Sequence, residues 1–529
     1  MSRIELYDTT LRDGTQAEGI SVSVDDKLAI ARRLDELGVD YIEGGYAGAN
    51  PKDDEFFRRA RGLKLGKAVM VAFGNTRKAD IEASSDASLK ALLGAGTPVV
   101  TLVGKASEMQ VRKVLETSLE ENLAMIADSV RYLRGHGRRV FFDAEHFFDG
   151  YRANTQYALQ AARVAAEAGA ECVILCDTNG GTLPDEVAGV VASVREALPA
   201  VRIGIHAHND ADAAVAVSLA ALKAGAEQVQ GTINGYGERC GNANLVSIIA
   251  NLQLKLGQRN LSDAQMRSLT DLSRFVAEVV NLPPHAYQPY VGASAFSHKG
   301  GLHAAAVEKV AESYQHVDPQ AVGNRSALVV SELAGRSTIM QEVDALGLKG
   351  ELTRDDARRI VQHIKDQEAR GFAYERAEAS FELVVRRSLP NYEPPFQLID
   401  FTVFVQAREN GEGAGGRLIS EATIKVRVGE QVLHTAAEGN GPVNALDNAL
   451  RKALLQFFPH LAVVKLTDYK VRVVADGTGT NAVVRVVIES SDGSDTWHTV
   501  GASGNIIEAS WLGLADSMEY WLLKHPTAR

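Results

Sequence analysis

Short runs rich in β-branched and aromatic residues recur at a regular interval over the first half of the chain. They cover residues 4–7, 41–44, 68–73, 99–103, 140–143, 173–176, 201–205 and 228–232. Between them the apolar positions switch to helical spacing. Over residues 25–37, Leu28, Ile30, Ala31 and Leu34 share one face and Gly38 supplies a stop. Residues 157–169 and 211–225 follow the same rule, each closing on a glycine that can take the left-handed cap. Strand–helix units in such succession predict a TIM (β/α)8 barrel over residues 1–260. The competitor is an open, doubly wound sheet. The barrel is preferred because polar residues gather after nearly every strand end. A closed barrel makes those ends converge on one mouth, whereas an open sheet strings them along an edge.

Beyond residue 260 the pattern becomes mostly helical up to 389, with a glycine-rich loop, Ser297-His298-Lys299-Gly300-Gly301-Leu302-His303. Leu389-Pro390-Asn391-Tyr392-Glu393-Pro394-Pro395 marks a linker. Residues 390–529 then predict an α+β domain with an internal repeat. Strands at 424–428 and 431–435 lead into a helix ending near Phe457. Strands at 483–488 and 496–500 lead into one ending near Leu522. Thr435 and Ala445 fall opposite Thr499 and Ala509 at one common offset.

A chain of 529 residues is too long for one core, which agrees with this division. The formal charge of -11 disfavours nucleic acid and anionic membrane as partners. No apolar run is long enough to span a bilayer, and the start of the chain lacks a signal-peptide pattern. Three cysteines make no disulfide framework and fit a reducing, cytoplasmic setting.

Three polar stretches carry chemistry. Asp8-Thr9-Thr10-Leu11-Arg12-Asp13-Gly14-Thr15-Gln16 follows the first strand run, where a barrel points its charges at the mouth. His206-Ala207-His208 ends the seventh run. Residues i and i+2 of a strand project to one side, so two imidazoles sit together, as a divalent metal requires. Gly231-Thr232-Ile233-Asn234-Gly235-Tyr236-Gly237-Glu238-Arg239-Cys240-Gly241-Asn242 follows the eighth, with glycines that let backbone approach a ligand. Asp13, His206, His208 and Asn242 together offer two oxygen and two nitrogen donors, suited to Mg, Mn, Zn or Co. They become neighbours only if the barrel closes.

These three stretches resemble the isopropylmalate, homocitrate and citramalate synthase group. Tyr41-Ile42-Glu43-Gly44-Gly45-Tyr46, Phe142-Asp143-Ala144-Glu145-His146 and Cys176-Asp177-Thr178-Asn179 resemble its citramalate branch. The resemblance implies a metal-dependent condensation of acetyl-CoA with a 2-keto acid, pyruvate in that branch, followed by thioester hydrolysis. It implies Asp13, His206 and His208 as metal ligands with Asn242 as a fourth. Arg12 is expected at the developing oxyanion, Gln16 and Thr178 on the keto acid, and Glu145 in the acidic catalytic position. His303 and Tyr314 match a pair supplied by a second subunit, which implies a dimer. Residues 261–389 would then complete the active site. The C-terminal repeat resembles an effector domain that binds an end-product amino acid, isoleucine or leucine. Asp212 departs from the pattern, and is expected to be a solvated acid at a helix N-terminus. Other readings are an isopropylmalate or homocitrate synthase, an acyl-CoA lyase or aldolase on the same barrel, and a non-catalytic amino-acid-binding protein.

Overall fold

The structure, a computed structural model, describes residues 3–298, 306–307, 309–328, 343, 348, 353–374, 377–408, 417–474 and 482–526. The eight apolar runs are eight parallel strands: β1 (Glu5–Asp8), β2 (Tyr41–Tyr46), β3 (Val69–Asn75), β4 (Val99–Lys105), β5 (Arg139–Glu145), β6 (Cys172–Asp177), β7 (Arg202–Ala207) and β8 (Gln228–Gly231). β1 pairs with β8, Glu5 opposite Gln228 through to Asp8 opposite Gly231, so the sheet closes into a barrel. An open sheet would leave both strands as edges.

Local chemistry sets the helices around it. Helix Val24–Leu37 starts at a capping box in which Ser23 and Asp26 satisfy each other's backbone amides. It ends at Gly38, whose φ of 95° a residue with a side chain would resist. It buries Leu28, Ile30, Ala31 and Leu34, each worth about 1–3 kcal/mol according to size. Strand residues facing the helices join one large core. Those facing the axis form a second, with Tyr7, Tyr41, Val71, Phe141, Cys172 and Ile174. The axial layer turns polar towards the C-terminal ends of the strands. Among the described residues, no helix is long and apolar enough to cross a membrane. All three cysteines are unpaired, Cys172 and Cys176 buried and Cys240 exposed.

The chain divides into two compact units, Met1–Phe296 with Gln315–Ser326, and Ser297–Tyr314 with Ala327–Arg529. In the second, β9 (Ser297–His298) pairs with β10 (Ala327–Leu328). Helices Arg354–Ala369 and Glu378–Arg387 precede the repeat. The repeat is β11 (Gln397–Arg408), β12 (Arg417–Val428) and β13 (Gln431–Gly439) with helix Pro442–Leu454, then β14 (Lys465–Val473), β15 (Val484–Ser491) and β16 (Thr496–Ser503) with helix Ile506–Lys524. Each half therefore has three strands, not the two expected.

The halves match in detail. Ile424 pairs with Thr435 and Ile488 with Thr499. Thr435 Oγ1 donates to Ala449 O at 2.9 Å, and Thr499 Oγ1 to Gly513 O at 2.8 Å. Ile424, Leu446, Leu450, Ile488, Trp511 and Met518 share one core across both halves. Arg387 ties helix Glu378–Arg387 to the last helix through Asp516 and Glu519, both at 2.7 Å. Phe404 and Val405 on β11, and Val471 and Val473 on β14, remain exposed.

Candidate active site at the barrel mouth

The loop after β1 is stitched to the end of β8. Thr9 N donates to Gly231 O at 2.9 Å, and Ile233 N donates to Thr10 Oγ1 at 2.8 Å. The turn is locked by Asp8, which accepts from Thr10 N and Oγ1; burial pushes its carboxyl up to about 7. Arg12 and Asp13 are thereby held at the mouth.

The glycine-rich segment after β8 folds back on β7. Asn209 N donates to Gly241 O and Ala243 N to Ala207 O, each at 2.9 Å, and His208 bridges to Asn242. Two glycines are obligatory here. A Cβ on Gly237 would lie 1.9 Å from Asn242 Oδ1, and one on Gly241, at φ 92°, would lie 2.0 Å from Gly235 O. Arg239 fastens the segment to its neighbours. Its fork donates to both Asp210 oxygens at 2.8 and 2.9 Å, and Nη2 also reaches Thr178 O at 2.7 Å.

These two loops bring four predicted side chains together. His206 Nε2 stands 3.3 Å from His208 Nε2, 3.2 Å from Asn242 Nδ2 and 3.6 Å from Asp13 Oδ2. Asn242 Nδ2 lies 3.3 Å from the same Asp13 oxygen. Burial, then the neighbouring His206, pushes the His208 ring down to about 3, so it offers neutral nitrogens. Asp13 resists the upward push of burial because Arg12 donates to its other oxygen, and its carboxyl sits below the usual range.

Whether this set fits a divalent cation can be tested on its polar atoms. Among the described residues, no three His, Cys, Asp or Glu side chains stand in the spacing of a formed metal site. The donor set nonetheless suits one. The Asn242 amide nitrogen fills the space between the acceptors Asp13 and His206, while its oxygen is buried without a partner. With a cation between those acceptors, the amide would turn its oxygen inward. Orientation of an amide is set by such a network. His208 Nδ1 is likewise buried and unpartnered.

Behind the cluster lies a layer that sequence reasoning did not assign. Arg12 Nε donates to Glu43 Oε2 at 2.5 Å, and its guanidinium carbon lies over Phe73, 3.9 Å from the ring centre. Tyr7 Oη donates to Glu43 Oε1 at 2.6 Å and meets Thr101 Oγ1 at 2.7 Å. Burial raises the Glu43 carboxyl against the pull of Arg12, and burial with the nearby Glu43 raises Asp143 well above the carboxylate range. Gln230 stands between Asp143 and His206. Three buried carboxyls thus share one guanidinium, and burial favours the neutral forms of Glu43 and Asp143 while Asp13 keeps its charge.

Of the other expected residues, Gln16 is exposed in the turn Gly14–Gln16. Thr178 is half-buried and its Oγ1 accepts from His146 N at 2.8 Å. Glu145, at the end of β5, is ion-paired with Lys105 at the end of β4. Asp212 is exposed just before helix Ala214–Lys223. Tyr314 is half-exposed and belongs to the second unit. His303 lies outside the described residues.

The second unit holds a cavity of about 630 Å3 lined by Val443, Asn444, Asp447, Arg451, Leu466 and Tyr469. Asp447 Oδ2 accepts from Arg451 Nε at 2.8 Å, but Oδ1 is buried without a partner among the described residues.

Three family models match the chain in series: HMGL-like over residues 3–276, homocitrate synthase post-HMGL domain-like over 290–371, and LeuA allosteric (dimerisation) domain over 375–522. The (R)-citramalate synthase of Geobacter sulfurreducens is 51% identical over 524 residues, spanning 99% of this chain and 98% of the relative. That of Aquifex aeolicus is 48% identical over 522 residues, again 99% and 98%. A probable 2-isopropylmalate synthase of Methanopyrus kandleri is 34% identical over 511 residues, 96% of each chain. Likeness at this level, end to end, leaves one conclusion: the chain belongs to the citramalate synthase family, within the larger group of HMGL-like barrels that carry a LeuA allosteric domain.

Proposed function

We propose that this protein condenses acetyl-CoA with pyruvate and hydrolyses the thioester, giving citramalate and CoA. The observation that carries this is the full-length identity to (R)-citramalate synthases, which exceeds that to the isopropylmalate enzyme. A divalent cation held by Asp13, His206, His208 and Asn242 would supply a Lewis acid for the keto oxygen. Arg12 presents its fixed charge to the alkoxide that forms there. Gln16 and Thr178 hydrogen-bond the keto acid.

His303 removes the acetyl methyl proton, oriented by Glu145 or Tyr314, because an imidazole titrates near neutrality. This role rests on the family resemblance, as does the supply of His303 and Tyr314 by a second subunit. The exposed apolar residues of β11 and β14 support self-association through the repeat. Unpaired Cys172, Cys176 and Cys240 support residence in the cytoplasm.

Release of CoA, followed with a thiol reagent, tests the substrate. Pyruvate is expected to exceed 2-ketoisovalerate and 2-ketoglutarate in kcat/KM. A pocket separates substrates that differ by a methylene by about 10- to 200-fold, so some activity on neighbouring acids is expected. Equal or faster turnover of 2-ketoisovalerate would replace this reading with an isopropylmalate synthase.

The cavity beside Asp447 is the site we assign to the end-product amino acid, isoleucine. Its ammonium would satisfy the unpartnered Asp447 oxygen and its side chain would pack on Val443 and Leu466. Isoleucine is expected to slow the reaction at sub-saturating pyruvate. Asp447→Asn, which loses the charge-assisted hydrogen bond, should raise the half-inhibiting concentration about tenfold. Velocity indifferent to both isoleucine and leucine would remove the regulatory claim.

A further inference from the structure

The β8 strand carries a polar pair, Gln228 and Gln230, at i and i+2, so both point into the barrel, where an apolar residue would pack without needing partners. Gln230 is fully buried. Parallel pairing sets it beside His206 on β7. Its Oε1 stands 2.7 Å from His206 Nδ1. Its Nε2 donates to Asp143 Oδ1, on β5, at 3.3 Å.

In the structure the amide bridge runs in one direction, its NH2 end to Asp143 and its oxygen end to His206. The amide has one acceptor end and one donor end. Asp143 presents an oxygen acceptor whether or not it carries a proton, so it can take the NH2 end. The oxygen end is then left for His206, and only a protonated Nδ1 can satisfy it. The Nε2 lone pair of His206 is in consequence free, and Nε2 is the atom that stands within 3.6 Å of Asp13, His208 and Asn242.

We infer that Gln230 is a positioning residue: bridged to Asp143, it fixes the tautomer and ring orientation of His206 so that Nε2 is presented to the divalent cation. The inference rests on the metal reading given above. Among the described residues His208 has no counterpart to Gln230, since its Nδ1 is buried and meets no partner there. The two imidazoles are therefore unequal. His206 is preset by the barrel through Nδ1, and His208 lacks that second anchor among the described residues.

Isothermal titration of Mn2+ into the metal-stripped full chain tests this. Outer partners of metal ligands contribute about 10- to 100-fold in affinity, so Gln230→Leu should bind Mn2+ weaker by that factor. Gln230→Glu keeps an acceptor against Nδ1 and should recover most of the loss. A purely structural role would give the reverse order, with the apolar leucine of similar size tolerated and the buried acid not.

Nitrogen NMR of histidine-labelled, metal-stripped protein gives a second reading that needs no variant. The Nδ1–H tautomer is expected for His206, and finding the Nε2–H tautomer would overturn the proposal. So would a folded Gln230→Leu with undiminished Mn2+ affinity. If the unaltered protein binds no Mn2+ at all, it is the metal reading that fails.

Discussion

Asp13→Ala is expected to strip the protein of its divalent metal and to lower kcat/KM by about 10³-fold or more, the scale set by losing several kcal/mol of Lewis-acid stabilisation. Asp13 is the only anion among the four donors that meet at the mouth. The other three bring no negative charge: two imidazoles, of which His208 is held neutral by burial, and one amide. Two imidazoles and an amide can still bind a metal, but without a counter-charge in a buried place the cation loses its main electrostatic attraction. The substitution acts twice, because Asp13 also accepts from Arg12, and losing it leaves that guanidinium paired only with Glu43. Elemental analysis of the purified variant and a CoA-release assay check both parts. Retained metal with retained turnover would dismantle the site as drawn.

Asp13 and the two histidines could be read from the sequence because each lies at a strand end or just beyond, where a polar residue contradicts the local apolar pattern. The barrel was legible for the related reason that eight apolar runs at one spacing have few other solutions. Glu43, Asp143 and Gln230 were not singled out as functional, although Glu43 and Asp143 stood inside quoted motifs. Their importance comes from the register between strands, which places Gln230 beside His206 and Tyr7 beside both Tyr41 and Gln230. No local pattern encodes that pairing. The one available signal was the polar Gln228 and Gln230 pair on the inner face of an otherwise apolar strand.

The repeat shows another limit. Strands β12, β13, β15 and β16 alternate apolar and polar positions and were found. β11 and β14 were missed. β14 is Lys465-Leu466-Thr467-Asp468-Tyr469-Lys470-Val471-Arg472-Val473, with hardly a fully buried position along it, so burial leaves no periodic imprint. Helix Ala214–Lys223 begins later than expected because Asn209 Oδ1 accepts from Ala214 N and Asp212 takes a positive φ of 53°. Such a turn can be read only from its three-dimensional hydrogen bonds.

Arg12→Lys is expected to cost about 10²- to 10³-fold in kcat, the scale for removing one preorganised donor to a developing oxyanion. The charge survives this change, so the effect isolates geometry. Arg12 spends Nε on Glu43 and Nη1 on Asp13 while its guanidinium carbon sits over Phe73. Nη2 is left without a partner among the described residues and can be offered to substrate. A lysine ammonium cannot reproduce the two-nitrogen fork to Glu43 and Asp13 and still keep a donor free over the ring. It is a compact, strongly hydrated point charge and would settle on the carboxylates. In the role proposed for Arg12 the lost contact is to charge that appears only as the carbon–carbon bond forms, so KM for pyruvate should change far less than kcat. Metal content should stay near that of the unaltered protein, which separates this variant from Asp13→Ala. Unchanged kcat in Arg12→Lys would mean that the guanidinium braces Glu43 and Asp13 and takes no part in stabilising the alkoxide.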